Sequence, residues 1–166
     1  MKGLIAVLFA LVILGLAFFL YSSPSAPPET TEAEIAQIQS EVGAVGDQWM
    51  AAVNGIDVGA AGDLFDPADT HCVDGGYYAN YDEWQDHLEA LFSTWEDMNL
   101  AWTSTRVDVF APDAAVFVGE GEGVATRTNG VFNLRAGVTL LLKKTQGIWR
   151  ITFQGSAGRW TPVVEG

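Results

Sequence analysis

Basic residues are scarce in this chain: 8 lysines and arginines stand against 21 aspartates and glutamates, a formal charge of −13 over 166 residues. That balance argues against a nucleic-acid partner, because affinity for a phosphate backbone is supplied by lysine and arginine. It argues equally against binding of the domain surface to anionic lipid. An acid-rich surface does favour solubility. Cysteine occurs once, at Cys72, far from the start. No internal disulfide can form, no lipid-modified N-terminus is available, and the fold must rest on its core. Histidine occurs only as His71 and His87, too few for a zinc site built from three or four convergent ligands. No metal and no cofactor is expected. Large aromatics are plentiful, with six tryptophans and nine phenylalanines, and each can bury about 150–250 Å².

Charge is also missing from Gly3 to Leu20, an apolar run preceded by Lys2. As a helix this run would be about 27 Å long, close to the ~30 Å hydrocarbon core of a bilayer. A secretory signal is the competing reading, but signal cores are usually about 7–15 residues, and Ser23-Pro24-Ser25 before Ala26 is a mediocre cleavage pattern. The expectation is a single-pass membrane anchor over residues 1–21, reaching the membrane through residues 3–20. Lys2 should stay inside and the following domain outside the cytoplasm. The alternative is a secreted or periplasmic domain after cleavage.

Residues 22–30 form a Pro/Ser-rich linker, and Thr31-x-x-Glu34 is a capping box that opens the first helix. Ile35, Ile38, Val42, Val45, Trp49 and Ala52 recur at helical spacing, and Asn54-Gly55 ends the stripe. A short helix over Asp57–Phe65 and a short strand over Thr70–Asp74 follow. Asn80 caps a third helix whose stripe is Trp84, Leu88, Leu91, Phe92 and Trp95. Strands are expected at 100–110, 114–126, 130–144 and 148–158, separated by Ala111-Pro112-Asp113, Asn129-Gly130 and Thr145-Gln146-Gly147. Alternation puts Val138, Leu140, Leu142, Trp149, Ile151 and Phe153 on one face. Asn133, Arg135, Arg150, Thr152, Gln154 and Ser156 fall on the other. Helices first and a long antiparallel sheet after make this an α+β domain with helices on one face of a curved sheet.

Helix one with Trp49-Met50-Ala51-Ala52-Val53-Asn54-Gly55, Asp63-Leu64-Phe65-Asp66, Asp113-Ala114-Ala115-Val116, and Thr139–Lys144 before Gly147-Ile148-Trp149-Arg150-Ile151 together carry a resemblance. Over residues 31–160 the chain resembles the nuclear transport factor 2-like superfamily, in its SnoaL-like and ketosteroid-isomerase-like branch. The resemblance implies a cone-shaped α+β barrel, helices in the concave face of a strongly curved, mainly antiparallel sheet, and often a homodimer through the sheet. Residues 161–166 would be a tail. No single activity is implied, because the fold hosts isomerases, cyclases, dehydratases and carriers.

Functional positions transfer poorly from that family. The tyrosine that serves the isomerases appears as Trp49, an indole with no useful acidity. Asp74 lies near the isomerase base but one residue off, which would turn it to the other face. Histidine positions after the last strand's Trp-x-Ile read Phe153 and Gly155. His71 beside Cys72 reads as a surface histidine next to a buried thiol, and His87, among Asp82, Glu83, Asp86 and Glu89, as part of a solvated helix face. Two functions remain. One is a non-catalytic, tethered domain that binds a small apolar ligand or a protein partner, with a pocket of Trp49, Phe65, Trp149, Ile151 and Phe153. The other is an enzyme on a small hydrophobic carbonyl compound, with Asp74 or His71 as base. Whether a titratable side chain reaches the cavity decides between them.

Overall fold

The computed structural model describes residues 30–163. The expected anchor over residues 1–21 lies outside them, and among the described residues no helix is long and apolar enough to cross a membrane. Helix α1, Glu32–Asn54, starts at Thr31, whose hydroxyl accepts from the Glu34 N–H while the Glu34 carboxylate accepts from the Thr31 N–H. Helix α2 is short, Val58–Gly62, capped by Asp57. Strands β1, His71–Asp74, and β2, Tyr77–Tyr78, form a small hairpin. Helix α3, Tyr81–Phe92, is capped by Asn80. Four long strands complete the chain: β3 Asp97–Ala111, β4 Ala114–Arg127, β5 Gly130–Thr145 and β6 Ile148–Pro162.

The sheet runs in the order β2-β1-β6-β5-β4-β3. Every pairing is antiparallel except β1 with β6, which is parallel. It is therefore a mixed sheet that does not close, with β2 and β3 at its edges, where the family resemblance implied a cone-shaped barrel. The N-terminal helices do pack on one of its faces, as expected. The β5–β6 turn has φ of 53° at Gln146 and 83° at Gly147, positive values at both central positions, as a tight hairpin turn requires.

The core lies between α1 and the inner face. Val42, Trp49, Phe65, Trp84, Phe117, Leu140 and Ile151 are all buried in one cluster. Gly46 lets α1 come close, since a Cβ there would sit 2.3 Å from the Phe117 ring. Polar contacts fix the helix along the sheet. Asn54 mimics a strand partner for Leu100, accepting from its N–H at 2.8 Å and donating to its carbonyl at 2.9 Å. In this way α1 also covers part of the free edge of β3. Glu41 accepts from Lys144 Nζ at 2.6 Å and from Trp149 Nε1 at 2.8 Å. A smaller cluster of Trp95, Met98 and Ala125 closes the other end of the sheet. Here Trp160 stacks on Trp95 at 4.4 Å, and the Arg127 guanidinium sits 3.6 Å above the Trp95 ring.

One irregularity changes which residues face inward. Leu142 pairs with Ile151, but Leu141 pairs with Phe153, so Thr152 is an extra residue in β6. A bulge of this kind reverses the alternation beyond it. Trp149 and Ile151 point inward as expected. Beyond Thr152, Gln154 takes the inner position opposite Leu140 and is 2% exposed, while Phe153 shares the outer face with Leu141. Strict alternation had put these two on the opposite sides.

Candidate active site

Beyond the bulge the strands place small residues next to one another on the inner face. One row is Gly119, Val138, Ser156 and Asp74; the next is Gly121, Ala136 and Gly158. Opposite them stand Trp49, Met50 and Val53 of α1 and Trp84, Leu88, Leu91 and Phe92 of α3. Gly119 is covered by Trp102, which lies 2.6 Å from where a Cβ would sit, and a cavity of about 170 Å³ remains beside Gly121, Ala136, Ser156 and Gly158. Its wall is mostly apolar, and among the described residues the single charged one lining it is Asp74.

Asp74 ends β1, where the parallel register sets it beside Ser156. Cys72, two residues back, is fully buried, so the inner face of this short strand carries Cys72 and Asp74. The Asp74 carboxylate is held from α3: its Oδ2 lies 3.1 Å from His87 Nε2. The other imidazole nitrogen, Nδ1, is 2.7 Å from the Tyr78 hydroxyl. Burial, and secondarily the Asp74 charge, raise the Tyr78 pKa. In the tautomer in which the Tyr78 hydroxyl donates to Nδ1, Nε2 carries the proton and donates it to Asp74. The rings of Tyr78 and His87 also stack, 4.3 Å apart, which fixes the imidazole plane.

Of the residues singled out from sequence, Trp49 and Asp74 line this cavity. Asp74 faces inward, correcting the expectation that a one-residue offset would turn it away. His71 is exposed on the outer face of β1, stacked on Tyr77 and 3.3 Å from its hydroxyl, and does not reach the cavity. Phe65, Trp149 and Ile151 are buried in the packed core and line no part of the cavity, and Phe153 is on the other face because of the Thr152 bulge. The Cys72 thiol is pushed up to about 12 by burial, so it stays protonated and inert.

His87 is the residue that sequence reasoning missed. Its acidic neighbours suggested a solvated face, yet its side chain is only 20% exposed and paired with Asp74. The available signal was its spacing: it lies three residues after Trp84 and next to Leu88, on the edge of the buried stripe of α3. Tyr78 carried no comparable signal, since the two-residue strand that positions it is too short for periodicity to show.

Comparison with known proteins gives a consistent picture of the fold. The profile of the SnoaL-like domain family matches residues 42–157. Among solved structures, a hexachlorocyclohexane dehydrochlorinase from Novosphingobium barchaimii LL02 superposes with a TM-score of 0.70 at 14% identity, covering 80% of this chain and 94% of that one. A ketosteroid isomerase-like protein from Erwinia carotovora atroseptica SCRI1043 gives 0.67 at 20% identity, over 72% and 95%. A candidate scytalone dehydratase from Novosphingobium aromaticivorans DSM 12444 gives 0.71 at 10% identity, over 82% and 94%. At these identities the likeness shows the fold alone. No curated protein matches the chain.

Proposed function

The chain belongs to the SnoaL-like family, and we propose that this member is an enzyme that moves a proton on a small, mostly apolar compound, with Asp74 as the base. The observation that carries this reading is the Asp74 carboxylate on the wall of an apolar cavity, held from behind by His87. Sequence alone favoured ligand binding without catalysis; the catalytic reading is supported by a titratable group, Asp74, that lines the cavity.

The arrangement suits proton abstraction. Oδ2 is engaged by His87, which leaves the other carboxylate oxygen to take a proton from a bound molecule. As Asp74 becomes protonated, the imidazole and the Tyr78 hydroxyl keep its orientation. Dehydrochlorination, dehydration and isomerisation, the reactions named for the structural neighbours, all need such a base, although those names support the reading only at the level of fold. His87 acts through Asp74 and is a positioning residue.

The test is a screen of small cyclic ketones, enones and β-hydroxy ketones with the purified protein. Asp74→Asn should lower kcat by about 10²–10⁴-fold, the usual contribution of a general base. His87→Ala should lower it less and change the pH profile. Saturable binding with no turnover of any compound would return the protein to the binding reading.

The reading includes a location outside the cytoplasm, with Gly3–Leu20 as the tether. Its support is the uninterrupted apolar run after a lone Lys2. Fractionation with membranes, resistance to high-salt extraction and an intact N-terminus are expected; a soluble chain starting near Ala26 would replace the tether with a cleaved signal. Pairing of two copies through the outer face of the sheet also belongs to the reading, and sedimentation of the purified protein tests it.

A further inference from the structure

We infer that the cavity is a receptor for apolar compounds that carry a protonated amine, with Asp74 and Ser156 as the acceptors of the ammonium. The inference goes beyond the catalytic reading: it uses the same carboxylate and requires no turnover. An ionised carboxylate only accepts hydrogen bonds. His87 Nε2 holds Oδ2 of Asp74 at 3.1 Å. The Asp74 side chain is nevertheless 28% exposed, and it lines the cavity. Its remaining oxygen calls for an N–H or O–H donor from the ligand, and a positively charged donor serves it best.

Ser156 supplies the second acceptor. The parallel register sets it beside Asp74, and it too lines the cavity. Neighbouring strands lie about 4.8 Å apart, so one ammonium group can stand between the two side chains. A primary ammonium has three N–H donors, enough for both oxygens and for one water. That water is available, because Ala157, Gly158 and Trp160 border the cavity and are exposed. The cation therefore keeps part of its hydration, which limits the cost of bringing it in. The same opening lets a ligand extend beyond the cavity.

The rest of the wall favours the same charge. Among the described residues no lysine, arginine or histidine lines the cavity. A ligand carboxylate or phosphate would meet Asp74 there with no counter-charge. Trp49, Trp84, Trp102 and Trp160 all line the space. Aromatic walls tolerate a cation better than aliphatic ones, and they also cover the apolar body of the ligand. The formal charge of −13 draws cations toward the protein before they bind. A neutral ketone, by contrast, has no N–H or O–H for Asp74 and can only accept from Ser156.

The experiment is a titration of the whole protein, followed by tryptophan fluorescence, with cyclohexylamine, cyclohexanol and cyclohexanecarboxylate at neutral pH and low salt. The ring is constant and only the head group changes. The amine should bind at least about tenfold more tightly than the alcohol, well within the attraction of touching opposite charges near a protein surface. The carboxylate should bind more weakly than either. Asp74→Asn should bring the amine down to the level of the alcohol. Ser156→Ala should weaken the amine by about three- to tenfold, the worth of one hydrogen bond. An amine preference that persists in Asp74→Asn, or tighter binding of the carboxylate, would overturn the inference. Should Asp74→Asn fail to fold, Ala136→Leu, which fills the space, must abolish amine binding. Amine still bound to that variant would be held by surface acids, and the inference would fall. Where a ketone is turned over, the amine should raise KM and leave kcat unchanged. Ketone turnover without amine binding sinks this inference alone. Amine binding without turnover of any ketone sinks the catalytic reading alone.

Discussion

The two halves of the inner sheet face are made by the same three strands and do opposite things. Toward the β5–β6 turn the inward rows are Ala115, Leu142 and Ile151, then Phe117, Leu140 and Gln154, of which Gln154 borders the cavity. These close against α1, with Trp149 and Phe65 filling the remaining space. Further along, the rows shrink to Gly119, Val138 and Ser156, then Gly121, Ala136 and Gly158; Trp102 fills the space over Gly119, and the cavity opens beside the others. Backbone pairing continues without interruption from one half to the other. What differs is side-chain volume. The dry half holds the fold together, and the small-residue half leaves the room that a ligand needs.

Substitutions on either side of this boundary should behave differently. Leu140→Ala in the packed half should cost about 2–5 kcal/mol in urea denaturation, because Leu140 is fully buried and its neighbours have little room to collapse. A cost below 1 kcal/mol would mean that the two halves are equally loose. Gly46→Ala, where α1 meets Phe117, should destabilise by about 1–3 kcal/mol through overpacking. Ala136→Leu in the open half should leave stability within about 1.5 kcal/mol of the unmodified protein. Its effect should be to abolish binding of ring-sized probes. If both properties are unchanged, the cavity lies elsewhere.

The smallest expected effect concerns the polar contact that holds the packed half. Hydrogen bonds from Lys144 first, then Gln37 and Trp149, lower the Glu41 pKa from its ordinary 4.5 to about 2. A carboxylate whose pKa is depressed on folding contributes stability that is complete above its unfolded value and is lost as pH falls through the folded one. The melting temperature should therefore decline between about pH 4.5 and pH 2. Glu41→Gln should flatten part of that decline. An identical acid limb in the variant would show that other carboxylates set it.

The packed half was the more legible of the two from sequence. The stripe of α1 and the alternation of β5 were plain, because burial on one face writes its period directly into the chain. The expected strands agree with the observed ones to within a few residues, and Trp149 and Ile151 face as expected. The site was legible only in fragments. Trp49 and Asp74 were named, but the sign of Asp74's facing was wrong, because a parallel partner 82 positions away in β6 sets it, through the Asp74–Ser156 register. Gln154 was hidden by the single extra residue at Thr152, which no period-2 pattern announces. His87 was hidden because its partners come from β1 and β2, while its sequence neighbours are acids. What escaped the sequence reading in each case is a pairing between elements, whether the distant β1–β6 register, the bulge at Thr152 or the contact of α3 with β1 and β2.

The parallel pairing of β1 with β6 also orders events in time. A nascent chain offers β1 early, but its partner, residues 153–156, belongs to the last strand of the domain. Until then the hairpin β1–β2 has no sheet to join, and closing so long a loop is a slow step. The helices and the β3–β4–β5 meander can form without it. Asp74 thus reaches its working position only after nearly the whole domain has been synthesised. A chain cut short within β6 can retain a sheet and a hydrophobic interior, and it will still have no base in its cavity.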